Sequence, residues 1–469
     1  VPATRRRCEE IWGEPFEAYS SEMSAAARWE VFRRCRRGTV ERVVGTRSAL
    51  FLPLPPETAV VITDEADNAY KQWEMAPYYH GRAVAAARAK RAPLVMTAAA
   101  PSLEAYALTT AGAAALVRVD DDAARPELTV VDMSKAVAAE GAVILSSTLA
   151  ANLRATLAAS GRALVMVNRR GYIPYLYCGA CGRSLSCDRC DVAFTYHEEE
   201  KALRCHYCMR REPLPRRCPY CGKEKLSGVG FGTEKLAAEI RLLFRDARVA
   251  RVDSDALKTA ARTRAFWEDF AAGAYDVIVG TRMALRALGD PRVTLAALAN
   301  ADTAMNLPDF RASEQTFRTI RRMLEPSASP RRVIIQTFEP NHYAVAAAAV
   351  GDYGRFAERE LAFRRRLNLP PYSRLVNVVV TEHKGRGGEK AASAVASALT
   401  RIFENGAEVL GPVPAPLARV RGRRRWQILV KTPDDDADAA ARAGKGLAAV
   451  VSRKGPVRVR VDVDPYDFF

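Results

Sequence analysis

The sequence predicts an α/β protein of two lobes built on parallel sheets, with a cysteine-rich insertion in the second lobe and an α+β domain at the C-terminal end. Three observations carry that expectation. Short apolar runs alternate with alanine-rich helical stretches, and each run ends in small or acidic residues, where parallel α/β sheets place their ligand loops. The tripeptide Gly-Thr-Arg closes an apolar run twice, at Gly45-Thr46-Arg47 and Gly280-Thr281-Arg282, which implies two lobes of related architecture. Eight of the ten cysteines fall between Cys178 and Cys221, in four C-x-x-C pairs.

A chain of 469 residues is too long for one ordinary domain. The expected division is a first lobe over 1–160, a second over 161–345 containing an insertion at 177–225, and a C-terminal domain over 350–469. No apolar run reaches membrane-spanning length, and no apolar segment follows Arg5, Arg6 and Arg7, so a cytoplasmic protein without a membrane partner is expected. The net charge is +17, with arginine clusters at 32–37, 209–217, 321–332, 364–366 and 419–425. That distribution suits a polyanion better than a merely soluble surface.

In the first lobe the strands are expected at 42–45, 59–63 and 94–96. The second of these ends in Asp64-Glu65-Ala66-Asp67. An acidic pair there can hold Mg2+ with one carboxylate and position water with the other, although a solvated loop or a helix cap has the same local appearance. Another apolar run at 163–167 leads into Asn168-Arg169-Arg170-Gly171-Tyr172 and then into the cysteines. Two thiolates two residues apart bind one metal from a tight turn, and two such turns complete a tetrahedral sulfur shell, so four pairs make two structural zinc sites. The pairs can be joined in three ways. A nested arrangement is favoured: Cys187 and Cys190 with Cys205 and Cys208, and Cys178 and Cys181 with Cys218 and Cys221, because joining the outer pairs brings the entry and exit of an insertion together. A disulfide framework is the alternative, which the absence of a secretory signal disfavours. His206 is a possible competing ligand.

Beyond the insertion, a helix opens near residues 230–233 and strands follow at 249–252 and 276–279. Small residues at a strand end let backbone N–H groups approach phosphate, with Arg47 and Arg282 adding charge. From about residue 350 the elements are a turn at 369–372, strands at 375–381, 417–421, 427–431 and 457–463, and helices at 389–403 and 437–450, the order of a split β-α-β sandwich. Its hairpin tip, Arg421-Gly422-Arg423-Arg424-Arg425-Trp426, reads as a phosphate-seeking turn with a stacking aromatic. Arg169 and Arg170, followed by Tyr172 and Tyr175, form a second basic and aromatic track.

Taken in order, GTRSALF, the acidic tetrapeptide with NAYKQ, TAAAPSLEAY, NRRGY, the eight-cysteine block, GFGTEK, NADTAMNLPDFRASEQTF, LNLPPYSRL and VDVDPYDF resemble the primosomal protein N′ (PriA) family of replication-restart helicases along the whole chain. The resemblance implies a superfamily 2 DNA helicase with two RecA-like helicase lobes, an inserted cysteine-rich two-zinc module and a C-terminal DNA-binding domain. It implies ATP and Mg2+ at Asp64 and Glu65, and a nested zinc pairing. Forked and single-stranded DNA, other primosome proteins and single-stranded-DNA-binding protein are the partners it implies.

The departures from the family pattern matter as much. Val1-Pro2 falls where the family's motif Ia lies and no G-x-x-x-x-G-K-[ST] occurs, so the phosphate loop and the 3′-end-binding domain are missing from this sequence. Where the family reads DEEH, this chain has Asp67 for the histidine; a lysine and an acidic position after Gly280-Thr281 read Arg286 and Gly289; the arginine-finger segment is replaced by residues 319–324, with Arg321 or Arg322 as the stand-in. Two readings follow: a DNA-binding restart protein with impaired or no ATPase and helicase activity, or an active ATP-dependent 3′-5′ helicase seen without its N-terminal part. A zinc-ribbon RNA-binding protein is a third, against which the two-lobe motifs argue.

Overall fold

The structure, a computed structural model, describes the chain except for residues 74–75, 120–124, 141–143, 168–175, 182, 190–192, 198–199, 206–207, 229–231, 308, 383–386, 404–406, 421, 434–441, 444–446, 448–456 and 467–469. Two compact units result, one of Val1–Ser102 with Asp462–Tyr466, the other of Leu103–Val461.

In the first unit β1 (Glu17–Tyr19) pairs in parallel with β2 (Val43–Gly45), and β3 (Val60–Ile62) with β4 (Leu94–Met96). Nothing in the sequence marks β1, whose Glu17-Ala18-Tyr19 lacks an apolar run. The helix Ala25–Arg36 starts at Ser24, whose hydroxyl accepts from the Ala27 N–H and so satisfies one of the first-turn donors. Its Val31 and Cys35 pack with Val40 and Leu52, while Val60, Ile62 and Ala85 form a second small core.

The second unit is organised by one sheet. Its first strands are β5 (Glu127–Asp132) and β6 (Arg162–Met166). The chain then passes through the cysteine-rich module, with β7 (Leu176–Cys178), β8 (Thr195–His197), β9 (Ala202–Arg204), β10 (Arg211–Pro213) and β11 (Leu226–Gly228). It returns with β12 (Val249–Val252), β13 (Val277–Gly280), β14 (Val293–Leu298) and β15 (Arg332–Thr337). The order is β12-β13-β6-β14-β15-β5, and every neighbouring pair is parallel. Covered on both faces, such strands need apolar side chains throughout, which is why β6 and β13 are buried at every residue. Leu149, Leu153, Leu236 and Ile240 from flanking helices pack on Val165, Val277 and Leu295. Because β5 pairs with β15, its residues stand in this sheet, and the compact unit that holds the sheet begins at Leu103.

The module's entry and exit strands, β7 and β11, pair antiparallel, with Cys178 opposite Leu226. β8, β9 and β10 form a meander. The C-terminal sheet has the order β17-β18-β16-β19, from β16 (Arg374–Glu382), β17 (Glu408–Val420), β18 (Arg423–Thr432) and β19 (Val457–Val463). The helix Gly388–Ile402 lays Ala392, Val395, Ala396 and Leu399 on its buried side, the spacing of an amphipathic stripe. Much of the helix expected over 437–450 lies outside the described residues.

A buried ion network joins the helices of the second unit. Arg364, fully buried, meets Glu314 at 2.6 Å and Glu360 at 3.2 Å, and Arg311 meets Glu104 at 2.8 Å. Among the described residues no helix is long and apolar enough to cross a membrane.

Candidate functional site

The cysteines come together as two nested clusters. Sγ of Cys178 is 3.6 Å from that of Cys221, and Cys181 is 3.7 Å from Cys218. Cys187 is 3.7 Å from Cys208, with Cys205 in the same group. A tetrahedral shell with metal–sulfur bonds of about 2.3 Å has sulfur–sulfur edges of about 3.8 Å, so these spacings fit a bound Zn2+ and not a disulfide. Cys190, the second member of its pair, lies outside the described residues, as does His206.

Without a cation the outer cluster holds its charge badly. Burial, with the neighbouring sulfurs, pushes Cys181 up to about 12. At Cys178 burial acts the same way, but N–H donors at Ala180 and Cys181 outweigh it and hold that thiol at about 7. A divalent ion removes the conflict by letting all four sulfurs ionise. The inner cluster also has a packing role: Leu185, Cys187, Phe194, Leu203 and Cys205 share one core with Leu375 and Leu429 of the C-terminal sheet.

The acidic loop follows β3. Asp64 sits at φ +50°, left-handed backbone that asparagine and aspartate tolerate better than most residues. Glu65, 1% exposed, accepts from the Ser102 N–H at 2.5 Å and the Ser102 hydroxyl at 3.0 Å, and pairs with Arg82 at 2.7 Å. Its carboxylate is thus held within the unit. Asp67 accepts from the Ala69 N–H at 2.8 Å, capping the short helix Asn68–Tyr70. Arg82 and Ser102 lie 17 and 37 residues away from Glu65, too far for any spacing rule to link them. Ser102 stands in the TAAAPS segment, the only sequence signal that pointed toward it.

The two Gly-Thr-Arg turns have the same construction. The Thr46 N–H donates to Tyr19 O at the end of β1, and the Thr281 N–H to Val252 O at the end of β12, both at 3.1 Å. A Cβ on Gly45 would lie 2.4 Å from Tyr19 O, and one on Gly280 would lie 2.4 Å from Val252 O, so each position requires glycine for close backbone approach.

Their arginines differ. Arg47 is half-buried and its Nη1 donates to Ala69 O at 2.7 Å and Lys71 O at 2.6 Å, with Nη2 on Gln72. The backbone acceptors thus engage the guanidinium that was expected to add charge for phosphate. Arg282 is exposed, with Gln315 Oε1 at 3.5 Å.

In the C-terminal domain Gly422, at φ +77°, turns the chain between Val420 and Arg423. Arg423 and Arg424 are exposed and Arg425 is half-buried. Trp426 is buried, and a Cβ on Gly388 would come within 2.3 Å of its ring. The expected stacking aromatic is therefore a core residue against the helix Gly388–Ile402. Arg169 and Arg170 lie outside the described residues. The proposed stand-ins for the finger are engaged within the second unit: Arg322 pairs with Glu325 at 2.6 Å, and Arg321 lies against Gly351. Arg286 stacks over Trp267, 5.0 Å from the ring centroid.

The replication restart protein PriA of Treponema pallidum (strain Nichols) is 35% identical over 481 residues, covering 99% of this chain and 71% of the relative. The chain belongs to the PriA family. The PriA of Bacillus subtilis (strain 168) is 32% identical over 439 residues, and that of Synechocystis sp. is 32% identical over 456. Each of these two matches covers 92% of this chain, which spans about half, 54%, of the relative's length.

Two domain families match parts of the chain. The "Primosomal protein N C-terminal domain" matches residues 365–466, and the "PriA DNA helicase Cys-rich region (CRR) domain" matches residues 187–213, the stretch of the inner cluster. Among solved structures, RecG bound to a three-way DNA junction is similar at 11% identity and a TM-score of 0.41, covering 76% of this chain and 37% of RecG. MrfA bound to DNA is similar at 9% identity and 0.37, covering 99% and 58%. Both likenesses are weak.

Proposed function

We propose that this chain is a DNA-binding platform for replication restart, holding forked and single-stranded DNA, with impaired or no ATP turnover. Membership of the PriA family supports the restart role. The observation that carries the DNA-binding part is the hairpin tip, where Arg423 and Arg424 are exposed on a chain of net charge +17. Phosphate contacts of this kind fix register and supply affinity, and the exposed Arg282 adds a third candidate. Arg169 and Arg170 complete the proposed track. Other primosome proteins and single-stranded-DNA-binding protein are the partners this reading requires, in the cytoplasm.

Two Zn2+ per chain would be held by Cys178, Cys181, Cys218 and Cys221, and by Cys187, Cys190, Cys205 and Cys208. When bound, each ion would hold its strands as a closed structural site with no open coordination position. The impaired ATPase rests on how the acidic loop is used. Glu65 is occupied by Arg82 and Ser102, and Asp67 caps its own turn where the family has histidine. Phosphoryl transfer depends on positioning and charge, and here Arg322 is paired with Glu325 and Arg321 lies against Gly351.

The alternative is an active 3′-5′ helicase of which this is a part. The intact Asp64-Glu65 pair, with Asp64 in left-handed backbone of the sort functional sites retain, favours it. Phosphate release with forked DNA, measured on this chain and on an upstream-extended form, separates the two. No release above background is expected; DNA-stimulated release abolished by Glu65→Gln establishes the helicase. A competition in which RNA displaces the fork at equal concentration would instead favour the RNA-binding reading.

A further inference from the structure

The last described residues of the chain are built into the acidic loop. β19 ends in Asp462 and Val463, and these with Asp464, Pro465 and Tyr466 belong to the first unit, Val463 being 392 residues from Lys71 and Tyr466 400 from Ala66. Lys71 is 1% exposed. Its ammonium lies 2.8 Å from an Asp462 carboxylate oxygen and donates to Val463 O at 2.6 Å and Tyr78 O at 2.8 Å. The carboxylate offsets the buried ammonium by charge, Asp462 Oδ1 being close without hydrogen-bond geometry, and this and the Val463 carbonyl are lost if the chain end leaves.

Tyr466, also buried, donates its hydroxyl proton to Ala66 O at 2.9 Å. Ala66 is the third residue of Asp64-Glu65-Ala66-Asp67, so the bond falls inside the acidic tetrapeptide. The Tyr466 ring also lies beside His80, with centroids 6.0 Å apart, and His80 caps the helix that carries Arg82. Asp464 takes φ +50°, which turns the chain between the Lys71 contact and the Tyr466 contact. Short-range structure does not dictate this path: it follows from Lys71 and Ala66 O being where they are.

We infer that Asp462–Tyr466 is an intramolecular clasp that positions the acidic loop, with Asp462 and Tyr466 as positioning residues for Asp64, Glu65 and Asp67. The loop's conformation is then set from the far end of the sequence.

Hydrogen exchange of the full chain, read by mass spectrometry in peptides over residues 63–72, tests this. Asp462→Asn removes the charge facing Lys71, and Tyr466→Phe removes one hydrogen bond while keeping the ring, so at least the second variant folds. Exchange over 63–72 should rise at least about fivefold in both, the value of one or two polar contacts, with peptides over 293–298 and 332–337 unchanged. Unchanged exchange over 63–72 in both variants overturns the clasp. So does a rise spread evenly over 43–45 and 94–96 as well, which would make the segment a general staple of its unit and not a positioner of the loop.

Discussion

Glu65 shows how a single carboxylate can be legible in sequence and unreadable in role. Its burial requires compensation, and Arg82 and Ser102 supply it. Removing the cation leaves a buried carboxylate with Ser102 as its remaining partner, whereas neutralising the carboxylate leaves only the partly exposed Arg82. Arg82→Met should therefore destabilise the first unit by about 2–4 kcal/mol, and Glu65→Gln by clearly less, in urea unfolding followed by tryptophan fluorescence. Equal losses would mean that packing and not charge holds the pair. Arg364 makes the same case in the second unit. With Glu314 and Glu360, both buried, facing it, Arg364→Met should cost about 3–5 kcal/mol, read as a lower denaturation midpoint.

At the scale of elements the cysteine-rich module and the C-terminal sheet are coupled through one core. Cys187 and Cys205 sit among Leu203, Leu375 and Leu429, so the inner cluster braces β16 and β18 as well as its own meander. Cys205→Ser should lower the metal content by one zinc per chain in elemental analysis and raise hydrogen exchange in β16 and β18, while the outer cluster keeps its metal. Loss of both ions would show that the two sites fold as one.

The hairpin between β17 and β18 is a separable element, since Arg423 and Arg424 are exposed and Trp426 is buried. Arg423→Ala with Arg424→Ala should flatten the log-log salt dependence of binding to forked DNA by about two units, at little cost to thermal stability. An unchanged slope would take the hairpin out of the interface.

For the whole molecule, acid stability is set by opposed buried groups. Burial holds His197 and His342 at about 4, and His342 needs its neutral form because Nδ1 accepts from the Ala344 N–H. Their folded values lie below the unfolded one, so the unfolded chain binds more protons and stability falls as pH drops from about 6.5 to 4, by about 2–3 kcal/mol for each. Asp302 acts in the other direction. Burial raises it to about 6, against donors at Phe338 and Thr337, so the folded state takes up its proton first and regains stability as pH falls from 6. Glu360, buried and likewise raised, acts with Asp302, so the decline over this window is the loss from the two histidines less the gain from these two carboxyls. Asp302→Asn should make the decline steeper than in the unsubstituted protein, measured as denaturation midpoints at matched pH; a shallower decline would reverse the assignment.

Local chemistry was enough for part of this protein. C-x-x-C spacing is a property of a tight turn, and apolar runs ending in small residues are a property of strands covered on both faces, so the metal clusters, the parallel sheet and the repeated Gly-Thr-Arg turns could be read before any fold was known. β12 and β19 fall at the residues their patterns mark. Partnerships across the chain could not be read. An arginine is the same letter whether it meets a phosphate, as expected of Arg47, or the carbonyls of Ala69 and Lys71 that it meets here. A tryptophan beside three arginines looks like a stacking platform until Gly388 is found against its ring. The edge position of β5, the lock on Glu65 and the seat of Tyr466 on Ala66 depend on which surfaces packing brings together over tens to hundreds of residues. Periodicity carries no record of that, because it reports which way a side chain faces and not what it will face.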